Sequence, residues 1–178
     1  MRRPISDVCS FNNRTDNPIQ HSLDVLQEFT FRKVHVKGRW DHAHTIFLTP
    51  RVHEGTKGVH VITPLIRSDG STILVDRGFI SDEFAKPELW IKPSAEQGEV
   101  DITGMLRTSQ ARNRFTPDNR PEKREWYWVD VNALADYAGG EAAGVQPVFV
   151  EAIFGMLLSR KQVLDFATEN LNCRWSSR

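Results

Sequence analysis

The stretch over residues 58–80, GVHVITPLIRSDGSTILVDRGFI, limits what this chain can fold into more than any other. Two β-branched, apolar runs flank Ser68-Asp69-Gly70. Aspartate can cap a tight turn, and glycine can take the positive φ that a bulged hairpin turn needs. The stretch therefore reads as a β-hairpin. Val59, Val61 and Leu65 alternate with His60, Ile62 and Ile66, so both faces of the first strand carry apolar side chains and need cover. Such a hairpin belongs inside a larger β structure. Its second strand starts at Thr72 and ends on Asp76-Arg77-Gly78, where the glycine permits a bend or bulge.

The rest of the chain supplies that larger structure. A period of two begins at Phe29, with Phe29, Phe31, Lys33, His35 and Lys37 on one face and Thr30, Arg32, Val34 and Val36 on the other. Gly38 reads as a break. Residues 39–48 continue as a second extended run, stopped by Thr49-Pro50-Arg51. Residues 99–106 form another strand with Val100, Ile102 and Met105 inward, residues 126–131 (WYWVDV) an aromatic one, and residues 147–153 (PVFVEAI) a last one. Helical signals are short. Asp130 caps a helix through Ala138 that Gly139-Gly140 stops, and Ser159 opens an S-R-K-Q capping box before an apolar stripe. Residues 81–96 and the polar, basic residues 107–125 read as long loops.

Strands joined by long loops rather than helical crossovers favour antiparallel neighbours. The expected fold is α+β, mainly β: an antiparallel curled sheet or open barrel with one or two short helices. Residues 1–20 are expected as a loose N-terminal arm, residues 21–158 as a single β-rich domain, and residues 159–178 as a C-terminal helix or tail. A chain of 178 residues is long enough for one core.

Composition narrows the function. Lysine plus arginine equals aspartate plus glutamate, 23 each, so no overall basic surface invites nucleic acid. The most apolar run, residues 145–158, is too short for the ~20 apolar residues of a membrane span. The N-terminus has arginines but no apolar region, so it is no secretory signal. Cys9 and Cys173 form no metal-ligand spacing and no disulfide framework.

Chemistry-bearing motifs are sparse. Of six histidines, His42 and His44 share a strand face on this reading, but no third ligand accompanies them, and no metal site is expected. No nucleophile elbow and no phosphate-binding glycine loop occurs, so no catalytic residue is expected. Arg77 carries two readings. It can clamp a carboxylate or phosphate at a strand end. It can instead be structural, its stem over Trp126 or Trp128 and its guanidinium paired with Asp118 or Asp130; this second reading is favoured. The aromatic run around Trp126 and Trp128 reads first as core and second as a partner-binding face.

Three stretches taken together resemble one family. They are residues 58–80, residues 114–135 (RFTPDNRPEKREWYWVDVNALA) and residues 147–153, with GEVDITGMLR (98–107) between the first two in the expected order. This combination is similar to the Surfeit locus protein 1 family, called Shy proteins in fungi. The resemblance covers roughly residues 28–154. It implies a non-enzymatic, chaperone-like assembly factor for cytochrome c oxidase at the mitochondrial inner membrane, or at the plasma membrane in bacteria. The implied partners are oxidase assembly intermediates. The implied domain is soluble, lies in the intermembrane space and is held between two transmembrane helices, neither of which is found in this sequence. Some bacterial relatives bind haem a, but the family's haem-linked histidine has no counterpart here, so no cofactor-binding residue is expected. Asp76 stands where the family commonly has asparagine, and Phe79 where it commonly has tryptophan. His60, Asp76, Arg77, Gly78, Asp118, Trp126, Trp128 and Asp130 are the candidate structural or partner-contact residues. The alternative is a stand-alone soluble binding module, truncated or diverged, without the assembly role.

Overall fold

The structure is a computed structural model and describes residues 9–10, 29–85 and 98–153. Seven strands form its sheet: β1 (Cys9–Ser10), β2 (Lys33–Trp40), β3 (Ile46–His53), β4 (Thr56–Ile66), β5 (Thr72–Ser81), β6 (Val100–Arg107) and β7 (Val145–Ala152). One α-helix, α1 (Val131–Tyr137), precedes β7. The strand order is β1-β2-β6-β7-β5-β4-β3, and an additional β2–β4 pairing joins Arg39 to Ile66 and Trp40 to Leu65. That pairing closes β2, β6, β7, β5 and β4 into a five-stranded barrel. β3 continues the sheet beyond β4, and β1 lies parallel beside β2.

The expected mainly-β fold is present, but the barrel is closed rather than open. Within the barrel the neighbours β5 and β7 are parallel, with Val75 opposite Val150 and Asp76 opposite Glu151. The long β5-to-β7 connection, which carries β6 and α1, makes a parallel pairing possible where a tight turn could not.

Closure divides the apolar side chains into separate cores. Val34, Val36, Leu65, Ile73, Val75, Leu106 and Val150 come from all five barrel strands and fill the interior. On the outer face, Ile46, Leu48, Ile62, Leu74 and Phe149 meet Trp126, Val129, Val131, Leu134 and Ala135. A third cluster gathers Val59, Val61 and Ile80. This is why the 58–80 hairpin is apolar on both faces: one face lines the barrel and the other lies under the helix.

Several elements differ from their sequence reading, each for a local reason. The strand expected from Phe29 starts at Lys33, because residues 29–31 form a turn with Phe31 at a φ of 68°. Gly38 does not break β2. It lets β2 lie against β4, since a Cβ there would run into the Ile66 carbonyl group and sit 2.9 Å from the Leu65 side chain. The run expected over 39–48 is interrupted by a single 3₁₀ turn, His42–His44, whose preceding Asp41 accepts a hydrogen bond from the Ala43 N–H. The histidines expected on a strand face therefore sit in a turn. Thr49-Pro50 does not stop β3; the peptide bond is cis and lies within the strand. Residues 126–131 are not a strand. Apart from one bridge between Leu48 and Trp126, Asn119, Gln110 and Ser109 take over their backbone hydrogen bonds. Met105 has the opposite parity to Val100, Ile102 and Leu106, which pack on the interior cluster.

Other expectations match. Gly70 has a φ of 83° in the hairpin turn, where Asp69 accepts hydrogen bonds from the Ser71 N–H and hydroxyl. Asp130 is the N-cap of α1 and accepts from the Ala133 N–H at 3.2 Å; Gly139 and Gly140 follow the helix at positive φ. The helix expected after Ser159 and the N-terminal arm, apart from the Cys9–Ser10 backbone, lie outside the described residues, as do residues 86–97 of the first loop and the Cys173 end of any Cys9 bridge.

Three glycines separate strain from space. A Cβ on Gly58 would collide with the Ile80 carbonyl and the Phe79 ring, whereas Gly70 has open space but a positive φ, and Gly98 has open space with no such φ. Gly58→Ala is expected to cost about 1–3 kcal/mol by overpacking. Gly70→Val is expected to cost roughly 1 kcal/mol or more from its backbone conformation alone. Gly98→Ala is expected to leave stability unchanged or slightly raised. Denaturant melts of the three variants check the order.

Candidate functional site

Strand alternation sends adjacent side chains to opposite faces. Asp76 follows Leu74 onto the outer face, while Arg77 lies on the side of Ile73 and Val75. Both are almost fully buried, at 6% and 8% exposure. Just beyond them the ladder slips: His60 pairs with Phe79 and Ile62 with Asp76, so Val61 alone faces Arg77 and Gly78. This is a β-bulge, and Gly78 supplies its φ of 110°.

Asp76 does two jobs there. One carboxylate oxygen accepts the Gly78 N–H at 2.9 Å and holds the bulge. The other lies 2.8 Å from His60 Nδ1. An ionised carboxylate only accepts, so the imidazole donates from Nδ1. In the neutral ring Nε2 is then the acceptor, and the imidazole meets Phe79 in a T-shaped contact at 6.3 Å. No serine, threonine or cysteine among the described residues is hydrogen-bonded to His60.

These two residues open onto a cleft of about 470 Å³ between the barrel's outer face and the segment that follows β6. Leu48, Val129 and Phe149 provide its apolar lining, continuous with the outer core. Charged side chains from successive strands cross it. Arg107 donates from Nε to Glu151 at 2.5 Å, and its guanidinium lies 4.5 Å over the Phe31 ring. Arg51 on β3 donates to the Pro50 carbonyl at 2.9 Å and the Tyr127 carbonyl at 3.3 Å. Burial pushes the Arg51 guanidinium below its ordinary pKa, and the Asp76 charge opposes that shift. With His60 neutral the charges in the cleft balance, two arginines against two carboxylates. Among the described residues, no three His, Cys, Asp or Glu side chains gather as a metal-holding group.

The candidate residues do not form one group. His60, Asp76 and Gly78 are together at the bulge. Arg77 is close by but faces the other way, its guanidinium 4.4 Å over the Trp40 ring. The expected stacking on Trp126 or Trp128 and pairing with Asp118 or Asp130 are therefore wrong in partner: the ring under the guanidinium is that of Trp40. Trp126 is 1% exposed and lies edge-on to Tyr137 at 5.5 Å. Burying an indole this fully contributes about 4–6 kcal/mol of gross hydrophobic stabilisation. Trp128 is only half-buried, its backbone held by the Asn119 amide. Asp130 caps α1, and Asp118 pairs with Arg112 at 2.6 Å in the loop after β6.

Arg51, Arg107 and Glu151 were not legible as cleft residues. Each is a plain charged residue in or beside a strand pattern. Only the registers of β6 and β5 against β7, with Arg107 opposite Phe149 and Asp76 opposite Glu151, bring Arg107 and Glu151 beside Asp76, and Arg51 joins the cleft from β3.

A closed five-stranded mixed barrel, one helix on its outer face and a charged cleft beside that helix define a small β-barrel domain. Comparison with known proteins gives it a family. A model described as the SURF1 family matches residues 10–174. Surfeit locus protein 1 of Gallus gallus is 34% identical over 158 residues, covering 79% of this chain and 49% of the relative. That of Homo sapiens is 35% identical over 145 residues, 72% of this chain and 46% of the relative. A SURF1-like protein of Dictyostelium discoideum is 33% identical over 143 residues, 67% and 53% respectively. The chain belongs to the SURF1 family. It spans about half the length of these relatives.

Arg77 provides a test of the corrected geometry. Replacing Arg77 with Lys keeps the charge but loses the flat stacking surface. A double-mutant cycle of Arg77→Lys with Trp40→Leu is expected to give a coupling of about 0.5–2 kcal/mol. The same cycle with Asp130→Asn should be additive within about 0.5 kcal/mol. Thermal melts of the five variants decide between the two partners.

Proposed function

We propose that this protein is a non-enzymatic assembly factor for cytochrome c oxidase. In this reading the barrel is the water-exposed domain of a protein tethered to the mitochondrial inner membrane. It faces the intermembrane space and engages oxidase assembly intermediates. The observation that carries the reading is the family match over residues 10–174, which takes in the whole barrel together with the motif order 58–80, 98–107, 114–135 and 147–153.

The chemistry of the cleft supports a holding role over turnover. Asp76 is occupied by His60 and the bulge, and Glu151 by Arg107. His60 has no hydroxyl or thiol partner among the described residues, so no activated protein nucleophile stands beside it. The reading assigns no cofactor to the described residues. No helix among the described residues is long and apolar enough to cross a membrane, so tethering is assigned to the family's anchors.

Cells lacking the protein are expected to lose most assembled oxidase on native gels, along with cytochrome c oxidation, and the full native protein should restore both. Normal oxidase levels in the null cells would overturn the reading. In the restored cells, Asp76→Ala should lower assembled oxidase, because it leaves His60 unoriented and the bulge N–H unpaired, a loss of about 1–3 kcal/mol.

A further inference from the structure

Between Arg107 and Arg124 the chain concentrates positive charge. Arg107, Arg112, Arg114, Arg120, Lys123 and Arg124 face only Asp118 and Glu122, a surplus of four in a protein with no net charge. Three of the cations are paired: Arg107 with Glu151, Arg112 with Asp118, and Arg120 with Glu125 across the segment's far end. Arg114, Lys123 and Arg124 are exposed and have no ion-pair partner among the described residues.

The segment also carries Phe115, which is 86% exposed, the most exposed large apolar side chain among those described. It is held in place. The Asn113 side chain accepts the Phe115 N–H, the Asn113 carbonyl accepts the Thr116 N–H at 2.9 Å, and Arg112 Nε donates to the Thr116 carbonyl. A formed turn thus presents an aromatic ring to water, with Arg114 beside it in sequence.

We propose that this turn docks on an anionic lipid surface, with Phe115 entering the headgroup layer and Arg114, Lys123 and Arg124 drawing on the lipid charge. Charge complementarity selects the occupant. A folded protein partner needs a closely packed apolar patch with a surrounding rim. Among the described residues the exposed large apolar side chains are Phe31, Val52, Ile66 and Phe115, and only Phe115 lies in this segment. Lipid headgroups rearrange around scattered cations and require no such patch. A single ring plus three free cations gives weak, reversible contact, suited to orienting a domain rather than anchoring it. The inference does not depend on the assembly role, since vesicle binding and oxidase assembly are separate measurements.

The 178-residue chain is mixed with vesicles of phosphatidylcholine alone and of phosphatidylcholine with phosphatidylserine, and sedimented. Binding is expected only to the anionic vesicles and should weaken as salt shortens the Debye length. Each cation contributes about a fivefold factor. Neutralising all three by Arg114→Gln, Lys123→Gln and Arg124→Gln is therefore expected to weaken binding by roughly a hundredfold. Phe115→Ala should weaken it separately, and Lys33→Gln with Lys37→Gln, on the exposed face of β2, should not. Circular dichroism confirms that the variants are folded; if the triple variant is not, Phe115→Ala carries the test. Equal binding to neutral vesicles, or binding unchanged in the triple variant or in Phe115→Ala, overturns the proposal. So does polyglutamate binding that matches the vesicles and ignores Phe115→Ala, an outcome that points to an acidic protein instead.

Discussion

One residue against two, Val61 facing Arg77 and Gly78, is the irregularity on which this structure turns. β5 lies in the barrel wall between β4 on one side and β7 on the other. Its pairing with β7 ends at Asp76, and the bulge follows at once; beyond it Phe79 and Ile80 pair with β4 alone. A bulge bends a strand and increases its local twist. Here it marks the point where β5 leaves the closed barrel and joins the sheet that carries β3. The Asp76 carboxylate completes the bulge through the Gly78 N–H and orients His60 with its other oxygen. A structural irregularity and a candidate site therefore rest on a single side chain.

The cleft lies where the outer core gives way to charge. Leu48, Val129 and Phe149 belong to both, so the wall that packs α1 against the barrel also floors the cleft. The arginines there are not bare charges in a low-dielectric site. Arg107 has Glu151, and Arg51 has two backbone carbonyls with Asp76 opposing its desolvation. Leaving a buried charge unpaired is costly, and the pairing explains how a charged row is tolerated beside an apolar wall.

Net charge hides this arrangement. Equal numbers of acids and bases suggest a featureless electrostatic surface, yet the segment after β6 holds a surplus of cations while the cleft beside it is balanced. Fields depend on where charges lie and not on their total. Asn119, Gln110 and Ser109 tie that segment to residues 127–131, so its shape is set by specific hydrogen bonds despite the lack of regular structure.

What the sequence determined by itself was local. The hairpin turn at Gly70, the bulge at Gly78, the Asp130 cap with its Gly139-Gly140 stop, and the presence of extended runs all follow from interactions within a few residues, and steric limits and short-range hydrogen bonds leave few alternatives there. The aromatic run 126–131 was misread because its pattern suits a strand, while Asn119 and Gln110 offered its backbone other partners. Barrel closure, the Trp40 partner of Arg77 and the gathering of Arg51, Arg107 and Glu151 beside His60 were decided only by tertiary structure. Each depends on which strands pair and in what register, and register is settled by burial across the whole sheet; a slip of one residue would turn every side chain to the opposite face.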